Sequence, residues 1–223
     1  MFLVLFDCDG TIVDSQHMIV EAMTRTFARH GLSAPARGDV VDVIGLSLPL
    51  AVARLAPIGR GVALDTLVET YKEQYFALRS DPGHSEMLFP GARAAIEALG
   101  ARDDMLLGVA TGKSRRGVRS LFEATGLGHH FSTVQTADDA PSKPDPTMVR
   151  QAVAETGVDI ADVVVVGDTR YDMEMAVAAG AGAVGVSWGY HRPGTLLEAG
   201  ATHIAERFEG LLPILEEIFA RDS

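Results

Sequence analysis

Five short apolar runs do most to limit what this chain can fold into: FLVLF at 2–6, LLGVA at 106–110, FSTVQ at 131–135, VVVVG at 163–167 and AVGVS at 183–187. Each is too short for a stable helix, and most hold apolar residues at consecutive rather than alternate positions. Strands of a parallel sheet covered on both faces read this way. Helical stretches separate them, GARAAIEALG, SRRGVRSLFEATG, TMVRQAVAETG and YDMEMAVAAG, each closed by a glycine, the usual helix stop. Strands alternating with helices of about ten residues imply right-handed βαβ crossovers. The expected fold class is therefore α/β, a doubly wound parallel sheet.

Residues 15–88 interrupt that rhythm. Met18, Ile19, Ala22, Met23, Thr26 and Phe27 form a helical stripe. Pro49 suits the start of a helix in PLAVARLA at 49–56. DTLVETYKEQYFALR at 65–79 offers Asp65 as a cap, with apolar residues at 67, 68, 71, 75 and 78. No convincing strand falls here. The pattern predicts an all-helical cap domain at 15–88, inserted into a core domain made of 1–14 and 89–223, with hinges near Val13–Gln16 and Met87–Pro90. A chain of 223 residues has room for both.

A formal charge of −11 argues against nucleic acid or an anionic membrane as partner. The single cysteine, Cys8, excludes an internal disulfide framework and a cysteine-based zinc site, and reads as a small buried hydrophobe. The first apolar run lacks a basic n-region and is too short to span a bilayer, so a cytoplasmic protein is expected. GVATGKS imitates a nucleotide-binding loop, but only three residues separate Gly108 from Gly112 where that loop needs four.

Ligands of open α/β sheets bind beyond the carboxyl ends of the strands, and the chemistry-bearing residues gather there. The first run ends in Asp7-Cys8-Asp9-Gly10-Thr11 and the second in Ala110-Thr111-Gly112-Lys113-Ser114. Ser142-Lys143-Pro144-Asp145-Pro146 follows the third, and the fourth ends in Gly167-Asp168-Thr169-Arg170-Tyr171-Asp172. The two-residue period of a strand puts Asp7 and Asp9 on one side and Cys8 on the other. Two like charges held together are unfavourable unless a cation or a shared proton relieves them. A lone Asp or Thr at a strand end is more often a turn former; the pairing is what points to chemistry. The inventory of acids, hydroxyls and a lysine suits a hard cation beside an anionic substrate. Lys143 is one of three lysines against sixteen arginines, so a lysine at this position carries information. Asp103-Asp104, Asp138-Asp139 and Glu216-Glu217 lack that setting and read as solvated faces.

Taken in order, DCDGTIVDS, the threonine-bearing second tip, KPDP and GDTRYD resemble the four motifs of the haloacid dehalogenase superfamily, over essentially the whole chain. The resemblance implies phosphoryl transfer with Mg²⁺ as cofactor. It makes Asp7 the nucleophile that forms an aspartyl-phosphate, and Asp9 the general acid and then the base that activates water. Asp7, the Asp9 backbone carbonyl and Asp168 would hold the cation, with Asp172 on its waters or on the metal. Thr111 and Lys143 would bind the transferring phosphoryl oxygens, with Gly10, Thr11 and Gly112 completing the substrate-binding set. Gly112 departs from the Asn often found after the motif threonine in related phosphatases, which removes one substrate-facing amide from the expectation.

Asp9 sets the chain apart from dehalogenases and phosphonate-cleaving relatives, which lack this second aspartate. VIGLSLPLAV at 43–52 looks like the cap loop of phosphoglycolate phosphatases, and GVSWGYHRPGTLLEAGATH at 185–203 resembles their segment after the fifth strand. The expectation is a Mg²⁺-dependent phosphatase acting on a small phosphorylated metabolite, with 2-phosphoglycolate first. Candidate cap contacts to substrate are Gly45 to Leu48, His17, Arg25 and Arg54. A β-phosphoglucomutase-like mutase and an inorganic pyrophosphatase are the alternatives, and a catalytically silent regulatory module is a remote one. Monomer and homodimer both stay open, while Trp188 and the LLPILEEIF helix read as core.

Overall fold

The computed structural model describes residues 1–57, 61–81 and 86–221. Strand β1 (Phe2–Phe6) leads through β2 (Val13–Asp14) into four helices, α1 (Gln16–Arg29), α2 (Arg37–Asp42), α3 (Leu48–Leu55) and α4 (Leu64–Arg79), and the chain returns through β3 (Met87–Leu88). Helices and strands then alternate as α5 (Ala92–Gly100), β4 (Met105–Thr111), α6 (Arg115–Thr125), β5 (Phe131–Thr136), α7 (Thr147–Thr156) and β6 (Val163–Gly167). They continue as α8 (Arg170–Ala179), β7 (Gly182–Val186), α9 (Pro193–Glu198), β8 (His203–Ala205) and α10 (Leu211–Arg221).

Six strands form one sheet in the order β5-β4-β1-β6-β7-β8, parallel at every pairing. The chain builds outward from β1 in one direction and then, from β6 on, in the other. That reversal opens a crevice at the carboxyl end of β1, where an open α/β sheet binds its ligand. Alternate residues of β1 feed two apolar layers. Val4, Phe6 and Cys8 join residues of α5, α6 and α10, while Leu3 and Leu5 face α7, α8 and α9. Cys8 is fully buried. The C-terminal helix is core, with Leu211, Leu215 and Phe219 buried against the first layer. Trp188 packs on Phe208 and donates its indole N–H to Thr11 O at 3.0 Å, tying the loop after β7 to the first strand tip.

The differences from expectation are small elements. β8 has three residues and pairs only with β7, and α2 and α9 have six residues each with one buried side chain apiece. Such pieces are shorter than any periodicity can register. A two-residue antiparallel ribbon, Val13 with Leu88 and Asp14 with Met87, closes the base of the helical insert, where no strand was expected. Asp65 is not the cap of α4; Ala63 holds that position and Asp65 lies in the first turn, where its charge faces the helix dipole. Gly100 is the last residue of α5 rather than its stop, whereas Gly126, Gly157 and Gly180 end α6, α7 and α8 in the left-handed region.

The insert has a small core of its own, made by Met23, Phe27, Val40, Val52, Leu67 and Val68. It is seated on the sheet domain through Val43, Leu46 and Ala51, which pack with Tyr171 of α8. The Tyr171 hydroxyl donates to Asp42 O at 2.9 Å and accepts from Arg54 Nη1 at 2.9 Å. Ser47 N donates to Ser142 Oγ at 2.8 Å. A Cβ on Gly112 would stand 2.6 Å from the carbonyl oxygens of Gly45 and Leu46, so the seam explains why glycine follows Thr111. Among the described residues no helix is long and apolar enough to cross a membrane.

Candidate active site

The first strand tip is shaped by the backbone. Asp7 N donates to Val166 O at 2.9 Å, which holds Asp7 against β6. Cys8 O then accepts from the amides of Thr11, Ile12 and Val13, and the chain turns sharply. Gly10 sits in that turn with φ +89°, and a Cβ there would lie 2.2 Å from Asp168 Oδ2. Only glycine meets both demands.

Behind the turn, oxygens of Asp7, Asp168 and Asp172 lie within 4.8 Å of one another, all buried. Lys143 Nζ is the cation among them, 2.9 Å from Asp7 Oδ1 and 2.5 Å from Asp172 Oδ1. Thr11 Oγ1 donates to Asp168 Oδ1 at 3.0 Å and Tyr190 N to Asp168 Oδ2 at 2.9 Å. Asp172 Oδ2 accepts from Thr169 N at 3.0 Å and from Thr169 Oγ1 at 2.6 Å, at the head of α8. Asp7 Oδ1 has the Lys143 ammonium beside it, and Asp7 Oδ2 has no hydrogen-bond partner among the described residues.

Three buried carboxylates against one ammonium is an unbalanced set. Burial, aided by Asp172 and opposed by Lys143, pushes Asp7 up to about 6. Burial and then Asp172 and Asp7 raise Asp168 well above the usual carboxylate range. Burial works against the charge of Lys143, yet Asp172 and Asp7 together hold it above its ordinary value. The orphaned lone pairs of Asp7, in an all-oxygen acidic set, fit a hard divalent cation. Asp7, Asp168 and Asp172 are the side chains that could hold it.

Asp9 stands apart from this set. Its Oδ1 accepts from Ser15 Oγ at 2.5 Å and from Lys113 Nζ at 2.8 Å. Lys113 Nζ also reaches Glu86 Oε1 at 2.7 Å, and Tyr75 of α4 donates its hydroxyl to the same Glu86 oxygen. Burial raises the Tyr75 hydroxyl well above its ordinary range, whereas Lys113, Tyr75 and Arg79 keep Glu86 below its own despite burial.

Asp7, Asp9, Thr111 and Gly112 line a cavity of about 570 Å³ between the insert and the strand tips. Thr111 is fully buried, and its Oγ1 accepts from Lys113 N at 3.2 Å. Of the candidate cap contacts, Gly45, Leu46 and Leu48 line the cavity and Ser47 between them does not, its amide bonding Ser142 instead. His17, Arg25 and Arg54 do not: His17 is exposed, Arg25 pairs with Glu21, and Arg54 serves Tyr171. Thr11 spends its hydroxyl on Asp168 rather than on the cavity. Asp138 and Asp139 are exposed, as expected, although they sit just beyond the end of β5. Asp138 accepts from Arg115 N at the head of α6, and Asp139 pairs with the Arg115 side chain. Sequence reasoning did not single out Lys113, Ser15, Glu86, Tyr75 or Tyr190. For Lys113 the signal was present, since it shares the tip of β4 with Thr111.

Residues 4–186 match the family described as haloacid dehalogenase-like hydrolase. A Rhodospirillum rubrum protein named phosphoglycolate phosphatase is 34% identical over 214 residues, covering 93% of this chain and 88% of that one. A Dickeya dadantii protein named "Probable phosphatase IndB" is 33% identical over 210 residues, covering 92% and 90%. Among solved structures, a hydrolase from Pseudomonas syringae superposes with a TM-score of 0.84 at 27% identity, covering 98% of this chain and 99% of its own. With its strand tips, its inserted helices and this match over most of its length, the chain belongs to the haloacid dehalogenase-like hydrolases.

Proposed function

We propose that the protein is a Mg²⁺-dependent phosphatase that hydrolyses a small phosphomonoester through an aspartyl-phosphate on Asp7. The observation that carries this reading is Asp7 itself, a buried carboxylate on the cavity wall whose Oδ1 pairs with Lys143 and whose Oδ2 has no hydrogen-bond partner among the described residues. The unpartnered oxygen offers lone pairs to phosphorus or to a cation.

A carboxylate oxygen of Asp7 attacks phosphorus, and the bond to the leaving oxygen breaks as Asp9 supplies a proton to it. Water then attacks phosphorus and gives its proton to Asp9, releasing inorganic phosphate and restoring Asp7. Lys143 and the Thr111 hydroxyl donate to the phosphoryl oxygens, where charge accumulates in the transition state. Mg²⁺ would be held by Asp7, Asp168 and the Asp9 main-chain carbonyl, with Asp172 behind. When bound it supplies positive charge that balances the acid cluster and the phosphoryl group. The helical insert, read as a cap domain, keeps bulk water from the phosphoenzyme.

The names of the relatives support 2-phosphoglycolate as substrate. Its carboxylate would need a cation in the cavity wall, and Arg116 offers one. Its guanidinium stacks over Phe76 at 4.8 Å and has no carboxylate partner among the described residues. A second reading is favoured by the rest of that wall, where Ile19, Met23, Val43, Leu48, Val68 and Tyr71 surround far more space than glycolate fills. An ester of a bulkier, uncharged alcohol suits those side chains.

Phosphate release with Mg²⁺, with and without chelator, tests the reading on 2-phosphoglycolate, p-nitrophenyl phosphate, pyrophosphate and β-glucose 1-phosphate. Chelator-sensitive release led by 2-phosphoglycolate, and lost for that ester alone in Arg116→Ala, supports the narrow reading. A lead for the aryl ester, unchanged by Arg116→Ala, supports the bulkier alcohol. No release from any ester overturns the phosphatase.

A further inference from the structure

Both places where the chain crosses between core and insert converge on the Asp9 carboxylate. Ser15, between β2 and α1, bonds Asp9 Oδ1 directly at 2.5 Å. Glu86, immediately before β3, reaches the same oxygen through Lys113, whose Nζ lies 2.7 Å from Glu86 Oε1 and 2.8 Å from Asp9 Oδ1. Lys113 is itself held still. Its side chain is 8% exposed, and its ammonium lies 5.5 Å from the centre of the Tyr75 ring. Its stem crosses the first turn of α6, where a Cβ on Gly117 would come within 2.7 Å of Lys113 Cγ. On the far side, Tyr75 bonds Glu86, and Arg79 Nη2 lies 3.7 Å from its other oxygen.

Asp9 Oδ1 therefore has two donors, and Oδ2 has none among the described residues, although Asp9 lines the cavity. A carboxyl group that passes a proton to a leaving oxygen must hold one oxygen in a narrow range of orientations. Two donors on the other oxygen, one of them charged, stop rotation about the Cβ–Cγ bond.

We propose that Lys113 is a positioning residue for Asp9: bridged to Glu86 at the return crossing of the insert, it fixes Asp9 Oδ1 so that Oδ2 faces the leaving-group oxygen. This rests on the reading of Asp9 as the proton donor. Lys113 belongs to the core by sequence but is oriented by the insert, so Asp9 is set for proton transfer only with the insert seated.

The test is kcat/KM over esters with uncharged leaving groups of falling quality: p-nitrophenyl, phenyl and benzyl phosphate. None offers a second anion for Lys113 to bind, and kcat/KM reports only steps up to leaving-group departure. Asp9→Asn is expected to lose at least about 100-fold more on benzyl than on p-nitrophenyl phosphate, because only a poor leaving group needs the acid. Lys113→Met should show the same bias at about 10-fold or more, and add nothing in the Asp9→Asn background. Glu86→Gln should show a weaker bias in the same direction, and Lys113→Arg, which can still span both carboxylates, should restore most of the loss. Equal slowing of all three esters by Lys113→Met, or none, overturns the proposal. An unbiased Asp9→Asn overturns it too, by removing the donor role, while chelator-sensitive phosphate release would leave the phosphatase standing. A readout that needs no turnover is a crystal structure of Lys113→Met. Rotation of Asp9 away from its Ser15 bond is expected, and an unmoved Asp9 overturns the proposal.

Discussion

Two lysines of this chain are buried between pairs of carboxylates, and their surroundings differ in one respect. Lys143 lies between Asp7 and Asp172 with Asp168 close by, so acid exceeds base. Lys113 lies between Asp9 and Glu86 with Arg79 beside Glu86, so the charges balance. In a low dielectric an unbalanced set raises carboxyl pKa values or recruits a cation, whereas a balanced one acts as a fixed joint. The Lys143 cluster is built entirely from strand tips, a loop and a helix head at the carboxyl edge of one sheet. The Lys113 cluster spans the junction between sheet and insert. The first is suited to holding ligands, and the second to reporting where the insert stands.

The sharpest way to break this contrast is Asp7→Asn. Turnover should fall by about 10⁴-fold or more, since the nucleophile is gone, while the fold is kept. The same change should raise metal-free stability at neutral pH. Asp7 is held at about 6, chiefly by burial, against 3.8 for an ordinary aspartate. Between those values the folded chain binds a proton that the unfolded chain has lost, so stability declines as pH rises through the window. Above it, the ionised group weakens the fold by on the order of 1–3 kcal/mol. Thermal melts in chelator should find Asp7→Asn more stable than the parent at pH 7, with the gap closing below about pH 4. A lower melting point at pH 7 would mean that Lys143 already compensates the charge.

Cation binding separates the clusters next. Mg²⁺ at about 100 times its Kd should add about 2.7 kcal/mol to the parent's stability. Asp168→Asn should lose most of that gain and about 10²-fold or more of the turnover. Asp9→Asn should keep the gain, because its side chain lies outside the acidic set and only its main-chain carbonyl is offered. Equal loss in both variants would erase the distinction between the two lysine sites.

Gly112→Asn, which puts in the residue the family resemblance led one to expect after Thr111, probes the seam. Its Cβ would meet the carbonyls of Gly45 and Leu46 at 2.6 Å, and both neighbours are backbone. The insert must lift, so kcat/KM should drop by about 10-fold with the metal-induced stabilisation unchanged. An unaltered kcat/KM would show that the insert works in a more open position.

What was legible in the sequence follows the same division. The acid cluster could be read because each member sits within a few residues of an apolar run, and parallel strands bring all such ends to one edge. Lys113 could not be paired by reading alone, since Asp9 and Glu86 lie 104 and 27 residues away. Helical periodicity in α1, α3 and α4 shows which face is apolar but not how that face is rotated against the sheet. For that reason His17, Arg25 and Arg54 read as equal candidates, though none reaches the cavity. Asp138 and Asp139 are the exposed residues they looked like, but their place at a strand tip was missed because FSTVQ was read one residue short of the strand end at Thr136.

The smallest expected effect belongs to Tyr171→Phe, at the seam but outside both lysine clusters. Its hydroxyl donates to Asp42 O and accepts from Arg54, while its ring packs with Val43, Leu46 and Ala51. Phenylalanine keeps the packing and strands one carbonyl and one guanidinium, both near enough to the surface for water to replace part of the loss. The expected destabilisation is about 1 kcal/mol, read from denaturant midpoints at constant m-value. Since neither Asp7 nor Asp9 depends on it, kcat should change by less than about twofold. If kcat instead fell as far as in Gly112→Asn, seating of the insert would rest on this tyrosine rather than on the glycine, and the seam would have a single hinge point at the head of α8.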